Sequence, residues 1–271
     1  MPELPEVETT KRGIEPYILG KSIQQLVVRQ SRLRWPVPKP LARYLKGQQI
    51  ERIARRGKYL LLSINHGTLI IHLGMSGSLR MLKQMIPPGP HDHVDLAFSN
   101  GSVLRYTDPR RFGAWLWTAE PVKQHPLLIN LGPEPLSTHF NADYLYHYSS
   151  KRKQAIKAFI MNAHTVVGIG NIYANESLFR AGIHPSRAAG CISQQRYEIL
   201  VDSIKNILQA AIEQGGTTLR DFVDGEGKPG YFQQQLQVYG CAGNPCRNCG
   251  AAIKEKRLSQ RSTFYCSRCQ H

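Results

Sequence analysis

Four of the six cysteines constrain the C-terminal end of the chain more tightly than any other sequence feature. They form two Cys-x-x-Cys pairs, Cys246 with Cys249 and Cys266 with Cys269, separated by sixteen residues. Each pair can direct two thiolates at one ion, and the intervening length suits a β-hairpin that brings the pairs together. This spacing predicts a structural zinc site closed by four sulfurs. The alternative is that the four cysteines form two disulfides. The sequence shows no export signal, so a cytosolic location is expected, and disulfides are rare in the reducing cytosol.

The charge balance predicts a polyanionic partner. The 271 residues include 35 lysines and arginines against 19 acidic residues, which gives a formal net charge of +16. Such an excess favours nucleic acid first and an anionic membrane surface second. Apolar runs such as residues 59–64 and 69–73 have the length of strands and are too short to span a bilayer. Charge alone fits a ribosomal protein equally well, so the activity must come from the motifs.

The N-terminal half has the pattern of an antiparallel β fold. Residues 6–19 have the spacing of an amphipathic helix that ends at Gly20, and strand-like runs follow it. Two hairpins are predicted at residues 59–73 and 94–106, where apolar runs flank an Asn-His-Gly turn and an Asn-Gly turn. Short strands at this spacing predict an antiparallel sandwich or barrel.

Beyond a Pro- and Gly-rich segment at residues 131–135, which is the predicted linker, the pattern becomes helical. Helices are predicted at residues 143–148, 151–162, 172–181 and 194–213, and the last of them is expected to stop at Gly215-Gly216. The domain boundaries that follow are residues 1–132, 133–240 and 241–271.

A glycine turn before the third of these helices has the form of a phosphate-binding helix N-terminus. Gly168 and Gly170 precede a helix expected to begin near Asn171, where free backbone amides and the helix dipole favour an anion. The preceding helix is predicted to carry a basic set, Lys151, Arg152, Lys153 and Lys157. Together these features predict a clamp of the helix-turn-helix kind on a nucleic-acid backbone.

Long collinear motifs make the sequence resemble the formamidopyrimidine-DNA glycosylases, bacterial enzymes that remove oxidised purines from DNA. The motifs are MPELPEVE (1–8), RRGKYLLL (55–62), IHLGMSGSLR (71–80), HDHVDL (91–96), YTDPRRFG (106–113), VVGIGNIYANESLF (166–179), KPGYFQQQLQVYG (228–240) and the cysteine pairs. They extend over essentially the whole chain.

The resemblance implies an α+β multidomain fold. An N-terminal helix packs on an antiparallel β-sandwich, a helix–two-turn–helix domain follows, and a β-hairpin zinc finger ends the chain, with duplex DNA bound between the lobes. It also implies one structural zinc ion, no organic cofactor, a monomer in the bacterial cytoplasm, and DNA containing an oxidised purine or an abasic site as the partner.

The resemblance assigns the chemistry to the N-terminus. Removal of Met1 is expected to leave Pro2 with a free secondary amine, which attacks C1′ of the damaged nucleotide and forms a Schiff base before β,δ-elimination cuts the strand. Glu3 matches the acid–base carboxylate that protonates the sugar ring oxygen. Glu6 matches a second carboxylate that positions the terminus, and Lys58 matches a lysine that binds phosphate near the lesion and assists the chemistry.

DNA contacts follow from the same resemblance. His72, Asn171 and Arg261 match residues that contact phosphates, and Lys157 matches a lysine tied to recognition of the oxidised base. Three side chains match those that fill the space left by the extruded nucleotide: Met75, Arg110 and Phe112. His91 is a further expected DNA contact.

The resemblance also places four residues at the lesion-base pocket: Glu176, Thr217, Arg220 and Tyr231.

Two other functions fit parts of the sequence. An enzyme of the related endonuclease VIII group would share the layout but prefer oxidised pyrimidines, although MPELPEVE and DPRRFG match the purine-specific branch. A zinc-finger DNA-binding protein without catalysis would use the basic surface and leave the Pro2-Glu3 terminus with no role. Met75 and Phe112 could also be core residues, and Arg110 the partner in a loop salt bridge.

Overall fold

A computed structural model describes residues 2–216 and 235–271 of the chain. These residues divide into two compact units, one formed by residues 2–129 with 214–216 and the other by residues 130–213 with 235–271. No helix in these two stretches is both long and apolar enough to cross a membrane.

The first unit is an antiparallel β-sandwich with a helix at its N-terminus. Helix α1 and a short helix α2 accompany eight strands, which form two four-stranded sheets in the orders β1-β6-β7-β5 and β2-β3-β4-β8. The elements are α1 (Leu4–Ile18), β1 (Ile23–Val28), α2 (Leu41–Leu45), β2 (Arg52–Arg56), β3 (Tyr59–Ile64), β4 (Gly67–His72), β5 (Ser78–Leu82), β6 (Asp92–Phe98), β7 (Val103–Thr107) and β8 (Ala114–Thr118).

One hydrophobic core holds this unit together. It combines side chains of α1 and of both sheets that are completely buried, such as Ile14, Leu62, Leu96 and Trp115. The predicted sandwich and both predicted hairpins are confirmed, since β3 pairs with β4 and β6 with β7 in antiparallel register. Burial of these apolar residues supplies the main stabilisation, at roughly 25 cal/mol per Å² of apolar surface.

The second unit is helical and ends in a β-hairpin. Its elements are α3 (Ala142–Ser149), α4 (Ile156–Met161), α5 (Asn171–Arg180), α6 (Gln194–Glu213), β9 (Lys254–Leu258) and β10 (Arg261–Tyr265). Helix α6 has the predicted bounds. The prediction of one helix over residues 151–162 is wrong, because Lys151 adopts a left-handed conformation with φ of 61° and the helix begins only at Ile156. Lys151 therefore lies in a turn, and Arg152 and Lys153 lie in the irregular segment between that turn and the helix.

The hairpin β9–β10 carries an unusual turn. Its two central residues, Ser259 and Gln260, both have positive φ angles, of 49° and 62°. This is the backbone of a type I′ turn, which normally uses Asn-Gly because side chains disfavour positive φ. The turn leads directly into Arg261, whose side chain is exposed.

Candidate functional site

The N-terminus of α1 holds two buried carboxylates next to Pro2. Glu3 and Glu6 are each only 2% exposed. They form a capping box, in which the backbone N–H of Glu3 donates to Oε2 of Glu6 at 2.8 Å. Pro5 lies in the first turn, where its missing N–H costs no hydrogen bond. Because the helix begins at Leu4, the cap fixes the backbone that carries Pro2 and Glu3.

A glycine after α6 approaches the same carboxylate. Gly216 has φ of 84°, and a Cβ atom at this position would lie 3.1 Å from Oε1 of Glu6. The sequence predicts the Gly215-Gly216 pair as a helix stop and does not predict this proximity. The available signal was a second glycine beyond the one that a helix C-terminus requires.

Lys58 and His72 lie near one another at the β2-β3-β4-β8 sheet. Lys58 is in the turn between β2 and β3, and its neighbour Tyr59 pairs with His72, with ring centroids 4.8 Å apart. Burial, with the positive charges of Lys58 and Arg34, lowers the pKa of His72 to about 4. Nδ1 of His72 accepts the N–H of Gly74 at 3.0 Å. The imidazole is therefore neutral at physiological pH and carries its proton on Nε2, as a hydrogen-bond donor.

Two adjacent loops carry Met75, Arg110 and Phe112. Met75 is 37% exposed and Phe112 is 42% exposed, so neither is a core residue. The Arg110 guanidinium lies 4.8 Å from the centroid of the Phe112 ring. A Cβ atom on Gly74 would lie 2.4 Å from the backbone of Phe112, so the loops touch at backbone level. The structure thus brings the predicted trio onto one exposed edge of the unit.

His91 lies beside these loops. Its side chain is exposed, and its carbonyl oxygen accepts the N–H of Asp108 at 3.0 Å. The ring of His93 is 6.3 Å away and forms a 2.8 Å hydrogen bond with the carbonyl oxygen of Asp108. The HDHVDL and YTDPRRFG motifs are therefore joined through their backbones.

In the second unit, Lys157 and Asn171 meet at the hairpin. The Lys157 side chain is buried, and its Nζ donates to the carbonyl oxygen of Ser262 at 2.8 Å and to Oγ1 of Thr263 at 2.7 Å. Nδ2 of Asn171 donates to the same carbonyl at 3.1 Å. Lys157 is thus held against the hairpin, and it lines a cavity of about 280 Å³ that Arg261 also lines.

Glu176, which the sequence predicts at the lesion-base pocket, is buried against the segment that precedes the zinc finger. Its carboxylate is 4% exposed and accepts the backbone N–H groups of Gln237, Val238 and Tyr239 at 3.0, 3.0 and 2.8 Å. Burial raises the pKa of Glu176, and the three amides oppose that rise. The side chain therefore orders the chain that leads into the zinc finger. The predicted pocket residues Thr217, Arg220 and Tyr231 lie outside the described residues.

The four paired cysteines converge on one point. Their sulfur atoms all lie within 4.8 Å of one another, with Sγ–Sγ separations of 3.8 Å for Cys246 and Cys269 and 3.4 Å for Cys249 and Cys266. A disulfide requires about 2.05 Å. Four thiolates around one point match tetrahedral zinc, whose bonds to sulfur are about 2.3 Å long. The donor set indicates a structural zinc ion with no position open for a substrate.

Comparison with known proteins agrees with this arrangement. Three family models match: the formamidopyrimidine-DNA glycosylase N-terminal domain at residues 1–115, the H2TH domain of the same glycosylases at residues 131–223, and the zinc finger found in FPG and IleRS at residues 243–271. Formamidopyrimidine-DNA glycosylases of Methylococcus capsulatus and Cellvibrio japonicus are 59% and 60% identical over 270 residues, which cover 100% of each chain.

Solved structures show the same fold. The MutM (Fpg) protein of Thermus thermophilus is 35% identical, with a TM-score of 0.89 over 99% of this chain and 98% of that one. The Lactococcus lactis Fpg in complex with DNA containing an abasic site is 35% identical, with a TM-score of 0.92 over 99% of both chains. Sequence, domain order and fold agree from one end to the other, and the chain belongs to the formamidopyrimidine-DNA glycosylase family.

Proposed function

We propose that this protein excises oxidised purines such as 8-oxoguanine and formamidopyrimidines from duplex DNA and then cuts the strand at the resulting abasic site. The observation that carries this proposal is the N-terminus, where Pro2 and Glu3 precede a helix capped by buried carboxylates. The Lactococcus lactis relative has been solved in complex with DNA containing Fapy-dG and with abasic DNA. We also propose that the protein is a monomer. Because its substrate is chromosomal DNA, we expect it to act at the bacterial nucleoid.

Pro2 is the proposed nucleophile, after removal of Met1. An α-amino group has a pKa of about 7.7–8.0, so roughly a third is neutral at pH 7.5, against about 0.1% of an ordinary lysine. The neutral amine attacks C1′ of the damaged nucleotide, and the bond from C1′ to the base breaks with the electron pair leaving on the base, which takes up the proton that the amine loses. The nitrogen lone pair then breaks the bond from C1′ to the sugar ring oxygen, and Glu3 donates a proton to that oxygen. The product is a cationic Schiff base between C1′ and Pro2.

Strand cleavage follows from that Schiff base by loss of protons. Removal of the C2′ proton expels the 3′ phosphate in β-elimination, and a second elimination expels the 5′ phosphate. Glu6 supports both stages by positioning, because its carboxylate accepts the Glu3 N–H and holds the terminus at a fixed angle. This fixed geometry lowers the entropic cost of reaching C1′.

Cationic and neutral side chains would donate hydrogen bonds to the phosphates of the DNA backbone. Lys58 supplies a positive charge, and the neutral His72 supplies an Nε2–H donor that needs no proton uptake to bind a phosphate. Asn171 and Arg261 provide a second set from α5 and the zinc hairpin, with Lys157 on the wall of the same cavity. The structural zinc holds this hairpin in shape.

Extrusion of the damaged nucleotide is assigned to the exposed trio. A base must leave the stack before a glycosylase can reach its sugar, at a cost of a few kcal/mol. Phe112 and Met75 are apolar and exposed, as a wedge between bases requires, and the exposed guanidinium of Arg110 is assigned to donate hydrogen bonds to the orphaned cytosine.

The test uses three labelled duplexes: one with 8-oxoguanine opposite cytosine, one with an oxidised thymine, and one without a lesion. We expect cleavage of the first with phosphates left at both ends of the gap, weaker cleavage of the second, and none of the third. The variant Glu3→Gln should still bind the first duplex but release no base. Preference for the oxidised thymine would indicate an endonuclease VIII-like enzyme, and binding without any cleavage would indicate a non-catalytic DNA-binding protein.

A further inference from the structure

We propose that Asp108 is a positioning residue that holds the two loops carrying Met75, Arg110 and Phe112 in one arrangement, with the Ser76 hydroxyl as the link between them. This inference rests on the proposed function and names the groups that organise its extrusion step. Asp108 itself does not touch DNA or the reacting atoms, because its side chain is completely buried.

The Asp108 carboxylate accepts four hydrogen bonds. Oδ1 accepts the Ser76 hydroxyl at 2.7 Å and the backbone N–H of Arg110 at 3.3 Å. Oδ2 accepts the Tyr106 hydroxyl at 2.8 Å and the backbone N–H of Gly113 at 2.9 Å. A carboxylate has about four acceptor positions, so this one is saturated. Its donors come from the β4–β5 loop, from β7 and from both ends of the β7–β8 loop.

Ser76 connects the two loops directly. Its hydroxyl donates to Asp108 and also accepts the N–H of Arg110 at 3.2 Å. Met75 precedes Ser76 in one loop, and Phe112 follows Arg110 by two residues in the other. A single hydroxyl therefore fixes the backbone beside two of the three exposed side chains. Hydrogen bonds to a charged, buried acceptor are stronger than neutral ones.

Tyr106 closes the network from the core side. Its side chain is completely buried, and burial together with the Asp108 carboxylate raises the pKa of its hydroxyl, which therefore stays a donor. A Cβ atom on Gly113 would lie 1.7 Å from this hydroxyl, so the loop passes against it with no room for a side chain. The β7–β8 loop is thus held between the core and Asp108.

Exposed wedge residues need such a frame. Met75 and Phe112 have more than a third of their surface in solvent, so packing within the unit restricts them less than it restricts core side chains. If their loops were mobile, the free energy needed to order them would add to the barrier to base extrusion. A saturated buried carboxylate orders the loops in advance of DNA binding, which lowers that cost. The network therefore acts on extrusion and not on the chemistry at Pro2.

The test compares Ser76→Ala with a matched control, Ser63→Ala, which removes a hydroxyl that pairs with Thr68 at 3.4 Å in β3–β4. Both are assayed on a duplex with 8-oxoguanine opposite cytosine and on a duplex with a pre-formed abasic site. A 2-aminopurine placed beside the lesion reports unstacking by fluorescence. We expect Ser76→Ala to lose about tenfold on the intact lesion, with a slower fluorescence rise, and to stay within about twofold on abasic DNA. Ser63→Ala should change neither.

A second variant, Tyr106→Phe, keeps the ring and removes one donor to Asp108, and it should change the ratio of the two rates in the same direction. The inference is overturned if neither variant changes that ratio, or if both activities fall together with the melting temperature. If Ser76→Ala does not fold, Tyr106→Phe decides alone. Failure of the unmodified protein to cleave the 8-oxoguanine duplex would instead reject the proposed function.

Discussion

Truncation of Phe112 to alanine separates base extrusion from chemistry. If the ring is a wedge, its loss should raise the barrier to extruding an 8-oxoguanine that is stacked and paired with cytosine. A pre-formed abasic site has no damaged base to extrude, so its cleavage should change little. If the ring instead contributed to the fold of the unit, both activities would fall with stability.

The structure sets the size of each effect. A fully buried Phe→Ala change costs about 3–5 kcal/mol of stability, but Phe112 is 42% exposed and lies in a loop. Its contact with Arg110 adds about 0.5–1 kcal/mol. We therefore expect a stability loss below about 2 kcal/mol. Stacking of an aromatic ring on a base is worth about 1–3 kcal/mol, so excision from the intact duplex should slow by about 5- to 150-fold.

The assay measures single-turnover rates on both duplexes and a thermal melting curve for each protein. Tyr17→Ala is the control, because Tyr17 exposes 43% of its surface in the same unit and has no assigned contact with DNA. It should leave both rates unchanged. The reasoning is refuted if Phe112→Ala excises 8-oxoguanine at the normal rate, or if it loses the same factor on abasic DNA.

Three further predictions concern the frame around the site. Zinc analysis should find about one ion per chain, and Cys249→Ser should lose it and weaken DNA binding, whereas normal binding by the zinc-free protein would contradict the assigned architecture. Arg105→Met breaks a buried pair with Asp95 (Nη2–Oδ2 2.8 Å), although Asp95 keeps its ion pair with Arg29. The loss of stability in urea denaturation should therefore stay below the 3–5 kcal/mol, roughly, of a buried charge without a partner, and should exceed the loss of less than about 1 kcal/mol for the exposed Arg12→Ala. Because the folded pKa of His72 is lowered to about 4, the unfolded chain takes up a proton there first as pH falls below about 6.5. Between pH 7 and pH 5, the free energy of unfolding of the unsubstituted protein should therefore fall by up to about 2 kcal/mol more than that of His72→Gln. An equal fall in the two proteins would show that the imidazole of His72 is not held neutral.

Local signals in the sequence predicted much of the fold. The Asn-Gly turn identified the β6–β7 hairpin, and the glycine pair after a long amphipathic pattern identified the end of α6. The paired cysteines converge as their spacing predicted. Each of these depends on residues close together in the chain, where turn geometry and periodicity decide the outcome.

Features that depend on tertiary contacts were not predictable in the same way. The helical pattern predicts a helix from Lys151, but the left-handed backbone there has no sequence signal in a lysine. Lys157 belongs to the same predicted helix, yet the β9–β10 hairpin covers it through bonds that join residues more than a hundred positions apart. The hydrogen bonds from three backbone N–H groups to Glu176 also join residues that are far apart in the sequence. The exposure of Phe112 could also be decided only by the structure.

Borohydride trapping tests the central claim most directly. Sodium borohydride is added while the protein turns over a duplex with 8-oxoguanine opposite cytosine, and the cross-linked peptide is then sequenced by mass spectrometry. The account predicts a stable protein–DNA adduct whose modified peptide begins at Pro2, with Met1 removed and the proline nitrogen bonded to C1′. An adduct on Lys58 or another lysine would contradict it, and so would the absence of any adduct from a preparation that cleaves the duplex.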